Sequence, residues 1–310
     1  MWTDGNPSPL LRLNVFLIRD KVAEICKKGA FNAPENWSER VSGGASLSVS
    51  IFVSTEQLLY KATVRLSDGC SASFDLRFLG RNDLPELNAF RDRIFAGLPD
   101  IDAYYPEDPE FAGWHLAERG RTLGVLCEGQ LMGCAVIGIP LDGMPNFAAD
   151  IPDLGLDPLA VAHMCSCMVD PRLRGQGLQR LLVSMRVMLA VGLGRPHLLT
   201  RVAVINHVSL TNMLACDFVL RRVIVMHGTR LRYVLHRNLT APPPRWVAAE
   251  AIAVPLADIE RQRDVLAHGL AGVAVAGPAD DRHILFVDVE GDAGQCRDAQ
   301  LSSMLTPPVC

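Results

Sequence analysis

The stretch Val169-Asp170-Pro171-Arg172-Leu173-Arg174-Gly175-Gln176-Gly177-Leu178-Gln179-Arg180 decides the reading of this chain. An apolar run before it, Leu159 to Met168, predicts a strand, and an apolar-rich run from Leu178 to Val191 predicts a helix. Glycines between a strand and a helix start let the backbone approach an anion closely, and successive amide N–H groups there point at it. Each such charge-assisted hydrogen bond contributes roughly 1.5–3 kcal/mol, so a few of them anchor a phosphate-bearing cofactor. Other phosphate-binding glycine motifs fit less well. A P-loop needs a Lys-Ser or Lys-Thr pair after its second glycine, and a Rossmann turn needs a third glycine or alanine where Arg180 stands.

The stretch resembles the acyl-CoA-binding motif of the GNAT superfamily of N-acetyltransferases, Val-x-Pro-x-x-Arg-Gly-x-Gly-x-Gly/Ala. Val169, Pro171, Arg174, Gly175 and Gly177 match, and Gln179 stands where the family most often has Gly or Ala. Asn206 to Phe218 extends the resemblance, with Asp217-Phe218 in place of the family's closing Gly-Phe. The resemblance implies acetyl-CoA, or another acyl-CoA, as cosubstrate. It implies that backbone groups around Met168 and Val169 hold the pantetheine arm and polarise the thioester carbonyl. The pyrophosphate falls to the loop Arg174, Gly175, Gln176, Gly177, Leu178 and Gln179, and Asn206 and Ser209 fall beside the pantetheine. Asn206 reads equally well as a helix cap.

With 310 residues, the chain has room for about two domains or for one with long additions. Hydrophobic residues at 49% supply a large core, and 21% charged residues with a net charge of −4 give no electrostatic basis for binding nucleic acid. No apolar run reaches the ~18 residues of a membrane span. Met1 to Pro7 lacks the basic-then-apolar pattern of a secretory signal. The nine cysteines have no metal-ligand spacing, and Cys165-Ser166-Cys167, an i, i+2 pair on a strand, makes neither an ordinary disulfide nor a zinc clamp. Reduced thiols in a cytoplasmic protein are expected.

The chain divides into residues 1–76, 77–240 and 241–310. The first unit predicts a helix from Pro9 to Lys28 and β-rich runs at Leu47–Val53, Tyr60–Leu66 and Ser71–Phe78. In the second, Asp83-Leu84-Pro85-Glu86 predicts a helix start, with Asp83 as cap and Glu86 completing a capping box. Strands at Thr122–Cys127 and Leu131–Ile139 come before a long loop, Pro140 to Pro158. After the glycine motif come a strand at Leu198–Ile205, a helix at Leu210–Ala215 and strands at Val219–Met226 and Leu231–His236. That order is similar to the GNAT fold: an α/β (α+β) mixed central sheet with helices on both faces, here with N- and C-terminal additions. Thr240 to Arg245 is a stiff Pro-rich linker. Beyond it a helix at Leu256–His268 and apolar runs at Val273–Ala276 and His283–Val289 suggest a small αβ addition.

Transfer to an amine needs the amine neutral, and a lysine-like amine has a pKa near 10.4. A positioned base overcomes this. His163, on the strand bordering the expected acceptor cleft, is the candidate, and its spacing before Arg174 is similar to that of a base-bearing position in several GNAT enzymes. Strand alternation puts it on one face with Cys165 and Cys167, and Cys165 is a candidate proton donor or nucleophile. Many family members carry a Tyr acid seven residues after the Asn; Met213 stands there, with Tyr233 and Ser209 as substitutes by type. The loop Ala103 to Trp114 sets Glu107, Asp108 and Glu110 among aromatics and could hold an ammonium-bearing acceptor. Asp142, Asp150 and Asp153 raise the same possibility. The expected activity is acyl-CoA-dependent N-acetylation of a small amine by direct attack on the thioester, without nucleic-acid or membrane partners. The alternatives are an inactive acyl-CoA-binding module and other CoA-thioester chemistry on the same fold.

Overall fold

The computed structural model describes residues 58–65, 71–104, 109–116, 119–226 and 228–289. The helix expected at Pro9–Lys28 and the strand at Leu47–Val53 lie outside them. The described chain runs β1 (Leu58–Arg65), β2 (Ser71–Leu79), α1 (Leu84–Ala96), α2 (Pro109–His115), β3 (Gly120–Cys127), β4 (Gln130–Gly138), β5 (Val161–Val169), α3 (Leu178–Gly192), β6 (His197–Ala203), α4 (His207–Leu214), β7 (Val219–Met226) and β8 (Arg230–Asn238). Beyond these come β9 (Ile252–Pro255), α5 (Ile259–Ala267), β10 (Ala271–Ala276) and β11 (His283–Val287). The strands form one mixed sheet in the order β1-β2-β3-β4-β5-β6-β8-β7-β10-β11-β9. Every neighbouring pair is antiparallel except β5 and β6, which are parallel.

Helices cover both faces. On one face α3 turns Leu178, Leu181, Leu182, Met185 and Leu189 inward at helical spacing. These pack with Leu198 and Val202 of β6, Leu210 and Met213 of α4, and Phe218. On the other face α1 buries Leu87, Phe90 and Ile94 against Leu131, Cys134 and Met168.

The start of α1 differs from its expected form. Pro85 sits in the first turn, but the Asp83 side chain makes no cap bond. Its carboxylate pairs with the Arg77 guanidinium at 2.7 Å and accepts the Gly80 N–H, and the Arg77 bonds hold its pKa below the usual carboxylate range. Glu86 accepts the Leu131 N–H at 2.7 Å, tying α1 to β4 rather than closing a capping box. The β2 guanidinium offers a charged partner that a helix amide cannot match.

The C-terminal strands join the sheet through β10 and β7, paired at Gly272 and Leu220. A Cβ on Gly272 would lie 2.9 Å from Ile284 Cγ2 and 3.1 Å from Leu220 Cβ, so the junction needs glycine for close approach. Val254, Leu256, Val265, Ile284 and Phe286 belong to the same hydrophobic cluster as α3. The fully buried Gln262 of α5 accepts from the Tyr233 hydroxyl at 2.8 Å and donates to the Pro255 and Leu256 carbonyls. Likewise β2 crosses position 76 and pairs with β3. Among the described residues no helix is long and apolar enough to cross a membrane.

Candidate active site

Strands β5 and β6 pair only at Val161–His197, Ala162–Leu198 and His163–Leu199. Beyond that point they diverge, although β5 continues to Val169 and β6 to Ala203. The Thr200 hydroxyl donates to the Met164 carbonyl at 2.8 Å, closing the base of the gap. A bulge on β5 helps open it. Ala135 of β4 faces Cys167 and Ile137 faces Met164, so β5 carries one residue more than β4 over that interval. An extra residue bends the strand and strengthens its twist. It also reverses the alternation. Ala162 and Met164 face the α3 side before the bulge, and Cys167 and Val169 face it afterwards. Cys165 therefore shares a face with His163, but Cys167 does not, contrary to strict alternation.

Arg186 of α3 props this bulge. It is 1% exposed, and its Nη1 donates to the carbonyls of Cys165 at 2.9 Å and Val136 at 3.1 Å. A buried carbonyl left without a donor costs roughly 1–3 kcal/mol. Arg186 supplies donors where the ladder is broken.

The glycine loop lies at the mouth of the gap, on the α3 side. Asp170 caps a single 3-10 turn, Pro171–Leu173. Gly175 at φ 78° and Gly177 at φ 76° are left-handed, and Gly177 is the N-cap residue of α3. The space where a Gly175 Cβ would stand is open. Among the described residues the amides of Gly175 to Arg180 have no intramolecular acceptor. Arg174 donates only to the Val169 carbonyl and Arg180 only to Asn212 Oδ1. Left-handed glycines, unsatisfied amides at a long helix's N-terminus and cations without carboxylates are features that physically favour an anion.

A cavity of about 310 Å³ runs through the gap between the sheet faces. On the α3 side it is bounded by Gln179, Asn206, Ser209 and Met213, and on the opposite side by Tyr104, Phe111, Phe147, Arg201, Met226 and Arg232. Cys165, Ser166 and Cys167 form its β5 wall.

Residues 87–221 match the sequence model of the acetyltransferase (GNAT) family. They are a GNAT-family acetyltransferase domain. No curated protein matched the chain. Among solved structures, the ribosomal-protein-S18-alanine N-acetyltransferase of Escherichia coli is 16% identical, with a TM-score of 0.40, over 56% of this chain and 99% of its own. The ribosomal-protein-alanine N-acetyltransferase of Brucella melitensis is 20% identical, with a TM-score of 0.40, over 53% of this chain and 99% of its own. Arabidopsis thaliana NAA60 in complex with acetyl-CoA is 15% identical, with a TM-score of 0.43, over 54% and 99%.

Several departures from the GNAT motif have structural explanations. Gln179 links α3 to α4: its Nε2 donates to Ser209 Oγ at 3.0 Å and its Oε1 accepts from Asn212 at 2.7 Å. Asn206 caps α4 through the Ser209 N–H and also lines the cavity. Asp217 holds the left-handed position of the missing glycine at φ 62° and pairs with Arg237. Asp and Asn are the non-glycine residues that tolerate that region best.

The structure gives His163 a different role from the expected base. It is 7% exposed and does not line the cavity. Its Nε2 accepts the Phe147 N–H at 3.1 Å, and the two rings stack at 3.8 Å. Burial, reinforced by Arg201, pushes its pKa down to about 3. The lone pair needed to take an amine proton is already engaged. Tyr233 is likewise withdrawn as an acid: it is fully buried, bonded to Gln262, and burial pushes its pKa up to about 12. Cys165 stays in the cavity wall over Gly138, where a Cβ would lie 3.3 Å from its Sγ. Ser209 lines the cavity, and its Oγ accepts from Gln179.

Some of the loop carboxylates expected near an ammonium are already paired with arginines. Asp150 clamps Arg201 with bonds of 2.6 and 2.8 Å, Asp153 pairs with Arg222, and Asp102 with Arg230. Glu110 is exposed, and Glu107 and Asp108 lie outside the described residues. Among the described residues no carboxylate lines the cavity; Arg186, Arg201 and Arg232 do. Sequence reading missed these arginines and the hydrogen-bonded pair Tyr104 Oη–Ser166 Oγ. The isolated Arg186 within the apolar run Leu181–Ala190 was the one visible signal.

Proposed function

We propose that this GNAT domain transfers an acetyl group from acetyl-CoA to the amine of a small acceptor. The observation that carries this reading is the gap between β5 and β6 beyond His163 and Leu199, opening onto the glycine loop at α3. The amides of Gly175 to Arg180, with Arg174 and Arg180, hold the pyrophosphate. The β5 segment from Cys165 to Met168, beyond the last pairing with β6, lies alongside the pantetheine and orients the thioester, beside Asn206 and Ser209. The acceptor enters from the face of Tyr104, Phe111 and Phe147. The amine nitrogen attacks the thioester carbon, the C–N bond forms, the C–S bond breaks, and the amine proton ends on the departing sulfur. A thiol pKa near 8.5 makes that sulfur a fair leaving group without a dedicated acid.

With His163 engaged, the neutral fraction of the amine is the reactive species. The Tyr104–Ser166 hydroxyl pair in the wall is placed to pass on its proton. Cys127, Cys134, Cys165, Cys167 and Cys216 are outside any disulfide, which suits a reducing cytoplasm. Thiol release from acetyl-CoA across a panel of amines tests the reading. We expect turnover whose kcat/KM rises about tenfold per pH unit up to the amine's own pKa, with the same profile in His163→Asn. Tyr104→Phe should lose roughly 10²-fold in kcat. CoA binding without any thiol release would favour the inactive CoA-binding module, to which Met213 in the cavity wall lends some weight.

A further inference from the structure

The acceptor side of the cavity contains a buried cation with an unused donor. Arg232 lies on β8 opposite Ala203 of β6. Its neighbour Tyr233 points into the α3-side core, so Arg232 faces the acceptor side, where it lines the cavity. It is only 7% exposed. Its Nη1 donates to the Leu231 carbonyl at 2.9 Å, and its buried Nη2 has no partner. The neighbouring charges are already committed: Asp102 to Arg230 at 2.8 Å, and Asp150 to Arg201. Arginine keeps its charge in proteins. A buried charge without a counter-charge is costly, and an orphaned buried donor calls for an explanation. Of the buried side-chain atoms without a partner among the described residues, this is the one whose residue lines the cavity.

We propose that Arg232 binds a carboxylate of the acceptor, making the substrate class amino acids or comparable amino carboxylic acids. This rests on the acetyltransferase reading above. Its buried Nη2 lacks an acceptor, and a carboxylate would supply both that acceptor and the counter-charge. One strand, β6, separates β8 from β5, a backbone span of roughly 10 Å. The arginine side chain covers much of that, so the carboxylate and the reacting amine sit a few bonds apart. Phe111, Phe147 and Met226 would meet an apolar acceptor side chain.

Product binding tests this without requiring turnover. N-acetylglycine, N-acetylalanine, N-acetylmethionine and N-acetylphenylalanine, each beside its C-terminal amide, are titrated calorimetrically into the full chain loaded with CoA. At least one acid should bind roughly thirty-fold or more tightly than its amide. Arg232→Gln should remove that preference, and Arg232→Lys should restore part of it, with CoA affinity unchanged in both. Equal binding of acids and amides, binding of neither, or a preference that survives Arg232→Gln overturns the proposal. If Arg232→Gln fails to fold, the acid–amide comparison in the unsubstituted protein still decides. Failure of CoA itself to bind is a separate outcome that rejects the acetyltransferase reading; the same acid titrations on the CoA-free protein then judge Arg232.

Discussion

His163 shows how little a residue type says about its role. The same imidazole on the same strand would be a base if its Nε2 faced the cavity, and it is a structural acceptor because Phe147 brings both its ring and its N–H. That contact comes from a loop with no periodicity to read, so it was not legible in the sequence. The consequence is measurable. Burial pushes His163 and, together with His197, His236 down to about 3. Between that value and the ordinary 6.5, the unfolded chain binds protons that the folded chain refuses. Stability is therefore complete above about pH 6.5 and falls as pH drops toward 3, by at most about 1.4 kcal/mol per pH unit for each histidine. Urea midpoints measured from pH 7 to pH 4 should show this slope, and His163→Asn should flatten it. A midpoint that does not move over that range would refute the assignment. Arg232 was equally hidden, since its orphaned donor exists only once β6, β8 and the cavity are assembled.

The succession of strands and helices was legible from apolar runs, alternation and turn residues, and most elements fall within a few residues of their expected bounds. The divergence of β5 and β6 was not. It depends on a register shift against β4, and sequence alternation cannot reveal a bulge that pairing creates. Arg186 is the support that this irregularity requires. Arg186→Met would leave the Val136 and Cys165 carbonyls without their donor while also removing a buried charge. We expect a net loss of about 2–4 kcal/mol in urea unfolding, together with weaker acetyl-CoA binding. A change below about 1 kcal/mol would mean that the bulge stands without it. The glycine turn between β5 and α3, by contrast, was readable, because left-handed turns restrict residue type so strongly.

The terminal regions looked separate in the sequence because the Pro-rich linker and the composition change are local features. In the fold, β2 enters the sheet through β3, while β9, β10, β11 and α5 extend the same sheet and core beyond β7. The strand pairing between β10 and β7 rests on one close approach at Gly272. A valine there has no room between Ile284 and Leu220. Gly272→Val should destabilise the chain by about 2 kcal/mol or more, read as a single lowered transition if sheet and extension unfold together. A separate early transition would show that the extension folds on its own.

The folded chain brings the glycine loop, the gap and the cavity together, so the most direct test is calorimetric titration of acetyl-CoA into the unsubstituted protein and Gly177→Asp. The substitution puts a carboxylate and a Cβ at φ 76°, in the middle of the loop that would hold the pyrophosphate. We predict tight binding to the unsubstituted protein and a loss of at least about 100-fold in the variant, with far-UV circular dichroism unchanged. Undiminished affinity in Gly177→Asp, or no binding to the unsubstituted protein, would contradict the assignment of this loop and gap to acyl-CoA.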